Sequence, residues 1–255
     1  MIHLPTAPWA HSLFDLAAWG GGGAMGWSLY RWRLAEAVDK VAMKVDGWYF
    51  TALVAGAIPG AWLAGSFNTL RAGGALSHSV VGALVGAIAG VEIYKAIRGV
   101  KGSTGAIFVG SFTLGVVIGR FGCLFSGLAD QTYGSPSTLP FAVDLGDGIG
   151  RQPVQVYESA VMALFLLSYL AGLAARAPWA MRRGFYAMCL AYGAQRFVWE
   201  FFKPYPRLIG PLNIFHVLCL GLVIYGLGYY LGDLRRERRA QVRALSVPRP
   251  DHQPV

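Results

Sequence analysis

The sequence predicts an all-α, polytopic integral membrane protein of seven transmembrane helices, with its N-terminus outside and its C-terminus in the cytoplasm. Three observations carry this reading. Apolar residues make up 55% of the 255-residue chain and charged residues only 14%, against roughly 25% charged in a soluble domain. That balance excludes a disordered chain and argues against an ordinary cytosolic enzyme. Seven apolar stretches reach the ~20 residues needed to cross a bilayer core of about 30 Å. The basic residues, finally, alternate between rich and poor connecting segments.

The spans are expected at 13–30, 48–67, 78–97, 104–121, 154–175, 184–202 and 211–232. The first has no Lys or Arg before Arg31, so it lacks the basic n-region of a cleavable signal peptide and is expected to stay. Its glycines Gly20 to Gly23 weaken a helix, which predicts a kink or a surface approached by a lipid or another helix. In the second and third spans Gly56/Gly60 and Gly82/Gly86/Gly90 recur at four-residue spacing, the pattern that lets helix backbones pack closely in lipid. The spans form one transmembrane domain over 1–232, with an extracytoplasmic loop at 121–153 and a basic cytoplasmic tail at 233–255.

The net charge of +9 would by itself admit a nucleic-acid partner, so the position of each basic residue matters. Arg31, Arg33, Lys40 and Lys44 follow the first span, and Lys95, Arg98 and Lys101 the third. Arg176, Arg182 and Arg183 follow the fifth, and Arg235, Arg236, Arg238, Arg239, Arg243 and Arg249 the seventh. These sixteen mark the cytoplasmic side. Arg71, Arg120, Arg151, Lys203 and Arg207 fall on the other side, and Arg196 inside a span. The charge orients a bundle, and no nucleic-acid partner is expected.

Ionisable groups inside spans cost several kcal/mol and are functional candidates by default. Arg196, in AYGAQRFVWEFF, lies about six residues from the outer end, with Glu200 at i+4 on the same helix face; a purely structural pair is the competing reading. Arg120 ends the fourth span in VVIGRFGC, and His78 begins the third in GGALSHSVVG. Glu158 opens the fifth span in RQPVQVYES. Glu92, deeper and toward the cytoplasm, has Lys95 within reach and reads as structural. Arg120, Arg196, His78, Arg151 and Glu158 thus converge on the outer half. The long loop reaches the same face with Asp130, Asp144 and Asp147, and turn residues at 134–136 and 146–148. Several guanidinium groups facing a partly apolar pocket suit a phosphate, and in a membrane that phosphate belongs to a lipid headgroup. Cys123, Cys189 and Cys219 show neither a disulfide framework nor metal spacing; no metal and no cofactor is expected.

The stretches GGALSHSVVG, GRFGCLFSG, YGSPSTLPFAV, RQPVQVYES and YGAQRFVWEFF, in this order over about residues 73 to 202, resemble the prolipoprotein diacylglyceryl transferase family of bacterial inner-membrane enzymes. The resemblance implies a multi-pass protein of the bacterial cytoplasmic membrane. Its partners would be phosphatidylglycerol, lipobox-containing preproteins and membrane lipids, and its reaction the transfer of diacylglyceryl to the lipobox cysteine thiol. It implies that Arg120 and Arg196 are the family's two essential arginines, that His78 is the histidine of its His-Gly-Gly stretch, and that Glu200 is the acidic partner of Arg196. Gln155, Tyr157 and Glu158 match the family's Gln-x-Tyr-Glu segment. Tyr133, with Arg151 from the convergence on the outer half and Asp130 by its proximity to the altered Glu position, completes the candidate substrate-binding set.

The family's Gly-Arg-x-Gly-Asn-Phe-x-Asn-x-Glu signature reads differently here. Its Asn positions are Cys123 and Ser126, Leu128 falls near its Glu, and Asp130 is the nearest carboxylate. The histidine stretch reads His78-Ser79-Val80. Cys123 is either a reactive thiol in an electropositive site or a small packing residue. The alternatives to the family reaction are transfer of a phospholipid-derived group to another acceptor, and non-catalytic lipid binding or transport.

Overall fold

A computed structural model describes residues 1–71, 73–74 and 76–246. Ala75 of the GGALSHSVVG stretch and residues 247–255 of the expected tail, including Arg249, lie outside the described residues. Seven long helices dominate, joined by one short one: α1 (Ala10–Leu29), α2 (Ala35–Ala42), α3 (Gly47–Arg71), α4 (Val80–Arg98), α5 (Phe108–Ser126), α6 (Val154–Ala174), α7 (Pro178–Trp199) and α8 (Ile214–Ser246). The long ones correspond one for one to the expected spans.

Five of them, α3, α4, α5 with its following turn, α6 and α8, are long and apolar enough to cross a membrane. The other two are diluted by their own sequences. Helix α1 carries Asp15 and the Gly20–Gly23 run, and α7 carries Arg182, Arg183 and Arg196. Trp19, Leu63, Ile97, Leu164 and Ile224 are exposed on the helix surfaces, an apolar exterior that suits contact with lipid.

The glycines decide how the helices meet. A Cβ on Gly56 would stand 2.1 Å from the Gly86 carbonyl oxygen, and one on Gly60 2.4 Å from that of Gly82. Helices α3 and α4 therefore pack backbone to backbone, as four-residue glycine spacing in lipid predicts. The Gly20–Gly23 run is also an approach surface: a Cβ on Gly22 would lie 3.0 Å from the Ser111 carbonyl oxygen, and one on Gly26 2.5 Å from its hydroxyl, so α1 packs on α5. From α5 the packing continues to α6, α7 and α8, and α8 returns to α4. Met162 and Tyr169 of α6, Met188 and Tyr192 of α7 and Cys219 of α8 are fully buried at its centre.

Two local features differ from the sequence reading. Helix α5 runs on to Ser126 and a 3-10 turn follows at Gly127–Asp130, so the loop expected at 121–153 begins only after Asp130. Helix α8 likewise continues through 233–246, where a separate tail was expected. The all-α expectation needs one small amendment as well. Strands β1 (Ile2–His3), β2 (Val143–Asp144) and β3 (Gly150–Arg151) form a sheet in that order, with β1 parallel and β3 antiparallel to β2.

The β2–β3 turn is built by side chains of its own sequence. Asp144 Oδ1 accepts from the amides of Gly146, Asp147 and Gly148 at 2.9, 3.2 and 3.0 Å. Gly146 and Gly148 take φ of 105° and 77°, values that favour glycine. The amides of Gly146 and Gly148, with His3, hold the Asp144 carboxyl below its ordinary range. Arg151 does the same to Asp147 by hydrogen bonding.

Candidate active site

Helix α5 delivers Arg120 into the bundle, and the start of α6 places Glu158 opposite it. Arg120 Nε stands 2.5 Å from Glu158 Oε2, with Glu158 fully buried. One turn apart on α7 and its 3-10 extension, Arg196 Nη2 and Glu200 Oε1 are 3.0 Å apart, and Arg196 Nη1 is 3.7 Å from Glu158 Oε1. Lys203 closes the group, at 2.6 Å from Glu158 and 3.2 Å from Glu200. Asn213 donates to Glu200 Oε2 at 3.3 Å and is itself held by His216.

Three cations thus share two carboxylates in a buried network. Pairing lowers the cost of burying these charges but does not cancel it. The charge is unbalanced, and so are the hydrogen bonds: Arg196 Nε and Nη1 are shielded from solvent and have no hydrogen-bond acceptor among the described residues. A buried guanidinium with free donors, next to excess positive charge, is a preorganised anion site.

Two cavities open onto this network. The larger, about 630 Å³, runs between α1 and α5 on one side and α3 and α4 on the other, and is lined mainly by apolar residues such as Leu53, Ile88 and Phe112. The smaller, about 360 Å³, is lined by Arg196, Asp130, Thr132 and Tyr205. His11, His78, Val80, Arg120 and Cys123 belong to both walls. A phosphate at the arginines would have a strongly apolar compartment on one side and one of mixed polarity on the other.

His78 stands just before Ser79, whose hydroxyl caps α4 by accepting from the Gly82 amide. Its backbone lies so close to Gly65 that a Cβ there would stand 2.7 Å from it. The ring faces His11 and Trp62 at centroid separations of 6.4 and 5.9 Å. Asp130 Oδ2 accepts from Thr132 at 2.5 Å, and Gln155 donates to that same hydroxyl at 3.5 Å.

Of the residues singled out in the sequence, the structure brings together Arg120, Arg196, Glu158, Glu200, His78 and Asp130. Gln155 sits one hydrogen bond further out. Arg151, Tyr133 and Tyr157 stand elsewhere. Asp147 grips the Arg151 guanidinium through both carboxylate oxygens at 2.6 and 2.7 Å, over the ring of Tyr133. Tyr157 donates to Gln152 at 2.9 Å and packs on Trp199. Two residues were missed. Lys203, at i+3 from Glu200, was assigned to a loop although that spacing could have flagged it. His11 precedes the first expected span, and no local pattern marks it.

Residues 17–231 match the family model of prolipoprotein diacylglyceryl transferase. The chain is 29% identical over 133 residues to a phosphatidylglycerol–prolipoprotein diacylglyceryl transferase of Bordetella parapertussis, covering 49% of each chain. It is 30% identical over 122 residues to a protein of that same name from an Azoarcus species, covering 44% of each. The chain thus spans about half the length of the curated relatives it matches. The family match, by contrast, takes in Arg120, Glu158, Arg196 and Glu200 together, and the chain belongs to the prolipoprotein diacylglyceryl transferase family.

Proposed function

We propose that the chain transfers the diacylglyceryl group of phosphatidylglycerol to the lipobox cysteine thiol of prolipoproteins, at the outer face of the bacterial cytoplasmic membrane. In this reading all seven long helices cross the bilayer with the N-terminus outside, and the segment from 233 onward is cytoplasmic. Arg120 and Arg196 bind the lipid phosphate, and the acyl chains occupy the 630 Å³ cavity. The acceptor thiol must lose its proton to attack, and His78, on the wall shared by both cavities, accepts it as general base. Sulfur bonds to the glyceryl carbon as that carbon's bond to the phosphate oxygen breaks. Glycerol phosphate leaves with the electron pair. Charge building on the departing oxygen is met by guanidinium groups already in place, which is where such sites gain most. Glu158, Glu200 and Lys203 position the arginines.

The observation that carries this reading is the buried Arg196, which has unmatched donors and lines the smaller cavity beside Arg120, itself on the wall of both cavities. Complementation of a strain depleted of its own transferase tests it. The unmutated chain should restore growth, and Arg120→Ala and Arg196→Ala should not; equal complementation by either variant would remove the assigned roles.

Cys123 and Ser126, at the family's two Asn positions, favour one second reading: the same lipid donor with another acceptor. Mass spectrometry of products from cells overexpressing the chain separates the two. Diacylglyceryl found on lipobox cysteine alone removes the second.

A further inference from the structure

We propose that His11, Cys123 and Asp130 form a binding site for a divalent transition-metal ion of the zinc class. The proposal is independent of the transfer reading. The three residues come from α1, α5 and the 3-10 turn after α5, which is why no sequence spacing marks them. One donor atom from each lies within 4.8 Å of the other two. His11 Nε2 stands 3.6 Å from Asp130 Oδ1, close to the roughly 3.4 Å that separates a nitrogen and an oxygen on a tetrahedral zinc ion.

The three donor atoms converge where α1, α5 and the turn after α5 meet. Neither ring nitrogen of His11 has a hydrogen-bond partner among the described residues, and both are shielded from solvent. Thr132 occupies Asp130 Oδ2, which leaves Oδ1 toward His11 and fixes the carboxylate as outer-shell partners do in metal sites. Arg120 Nη1 donates toward Cys123 Sγ at 3.8 Å, and a bound metal ion itself displaces the thiol proton on coordination. Asp15, at 3.9 Å from His11 Nε2, is a further carboxylate at the rim. Imidazole, thiolate and carboxylate together make a donor set suited to zinc. A thiolate and a carboxylate balance a dication, and binding releases the Cys123 proton to solvent. His11 and Cys123 line both cavities, so the fourth coordination position faces the cavity and is open to water or a small thiol.

The test uses full-length protein in detergent, loaded with Co²⁺ in place of Zn²⁺ and read by absorption. The unmutated chain should bind one ion and show thiolate-to-cobalt charge transfer together with tetrahedral ligand-field bands. Cys123→Ser should lose the charge-transfer band, and His11→Ala should lose binding. Thr132→Val, which removes only the outer-shell hydroxyl, should weaken binding roughly tenfold. Cys219→Ser, at a buried cysteine outside the cluster, should leave the spectrum unchanged. Absence of a charge-transfer band in the unmutated chain, or its persistence in Cys123→Ser, would overturn the proposal. Each variant is first checked for an unchanged helical circular-dichroism spectrum, and Thr132→Val supplies the graded readout if a ligand variant does not fold. No arm measures transfer, so failure here leaves the proposed reaction standing and failure of that reaction leaves the site standing.

Discussion

The large cavity has a charged cluster at each end, and the two are built differently. At one end Glu92 and Lys95 pair at 2.8 Å, and Tyr225 and Tyr229 donate to Glu92 at 2.8 and 3.3 Å. One cation meets one carboxylate there, and every oxygen is used. At the other end three cations share two carboxylates, and Arg196 keeps donors to spare. Lys95 is as buried as the arginines and Glu92 partly so, so the burial of a cation alone does not distinguish the two clusters. The unspent charge and the unspent hydrogen bonds do.

The contrast can be broken in several ways. Glu158→Ala should have the largest effect, because it leaves Arg120 and Lys203 buried without their main partner. A loss of about 3–5 kcal/mol is expected for breaking a buried pair, read as loss of folded protein after extraction into detergent or as a lowered thermal midpoint. Gly86→Ala perturbs the scaffold between the ends without touching either. Its new Cβ meets the Gly56 carbonyl oxygen at 2.1 Å, and the separation this forces should cost about 1–3 kcal/mol, again read by thermal unfolding. Replacing the balanced pair together, Glu92→Gln with Lys95→Met, should change stability by less than about 1 kcal/mol, since removing both partners of a buried pair is often neutral. A large loss from that double replacement would make the two clusters alike.

The smallest effect belongs to the loop. Asp144 and Asp147 have carboxyl pKa values below their ordinary 3.8, so the unfolded loop takes up protons first. Their stabilisation is therefore present at neutral pH and lost as pH falls through the depressed values. Protection of residues 131–153 from an acid-active protease should weaken below about pH 4; Asp144→Asn should reduce that dependence, and Asp144→Asn with Asp147→Asn should abolish it.

The seven long helices and their glycine contacts were legible because both are local patterns: apolar length and four-residue spacing. Arg196 with Glu200 and Glu92 with Lys95 were legible too, at i+4 and i+3. The rest depended on chain paths that no window of sequence contains. Arg151 carries charge suited to phosphate, but only the β2–β3 turn shows that Asp147, four residues earlier, already occupies it. Lys203 and Glu158 are 45 residues apart in sequence and 2.6 Å apart in space. His11 reaches Cys123 and Asp130 only because α1 packs along α5 through Gly22 and Gly26.

The central claim is that the unbalanced cluster, and not the balanced one, holds the lipid phosphate. Transfer of diacylglyceryl from phosphatidylglycerol to a lipobox peptide, measured with purified protein in detergent, tests it directly. Arg196→Ala should lower the rate roughly 10²–10³-fold, the scale expected when one preorganised donor to developing charge is lost. The Glu92→Gln, Lys95→Met double variant should stay within a few-fold of the unmutated chain. Equal losses from the two, or undiminished transfer by Arg196→Ala, would contradict the account.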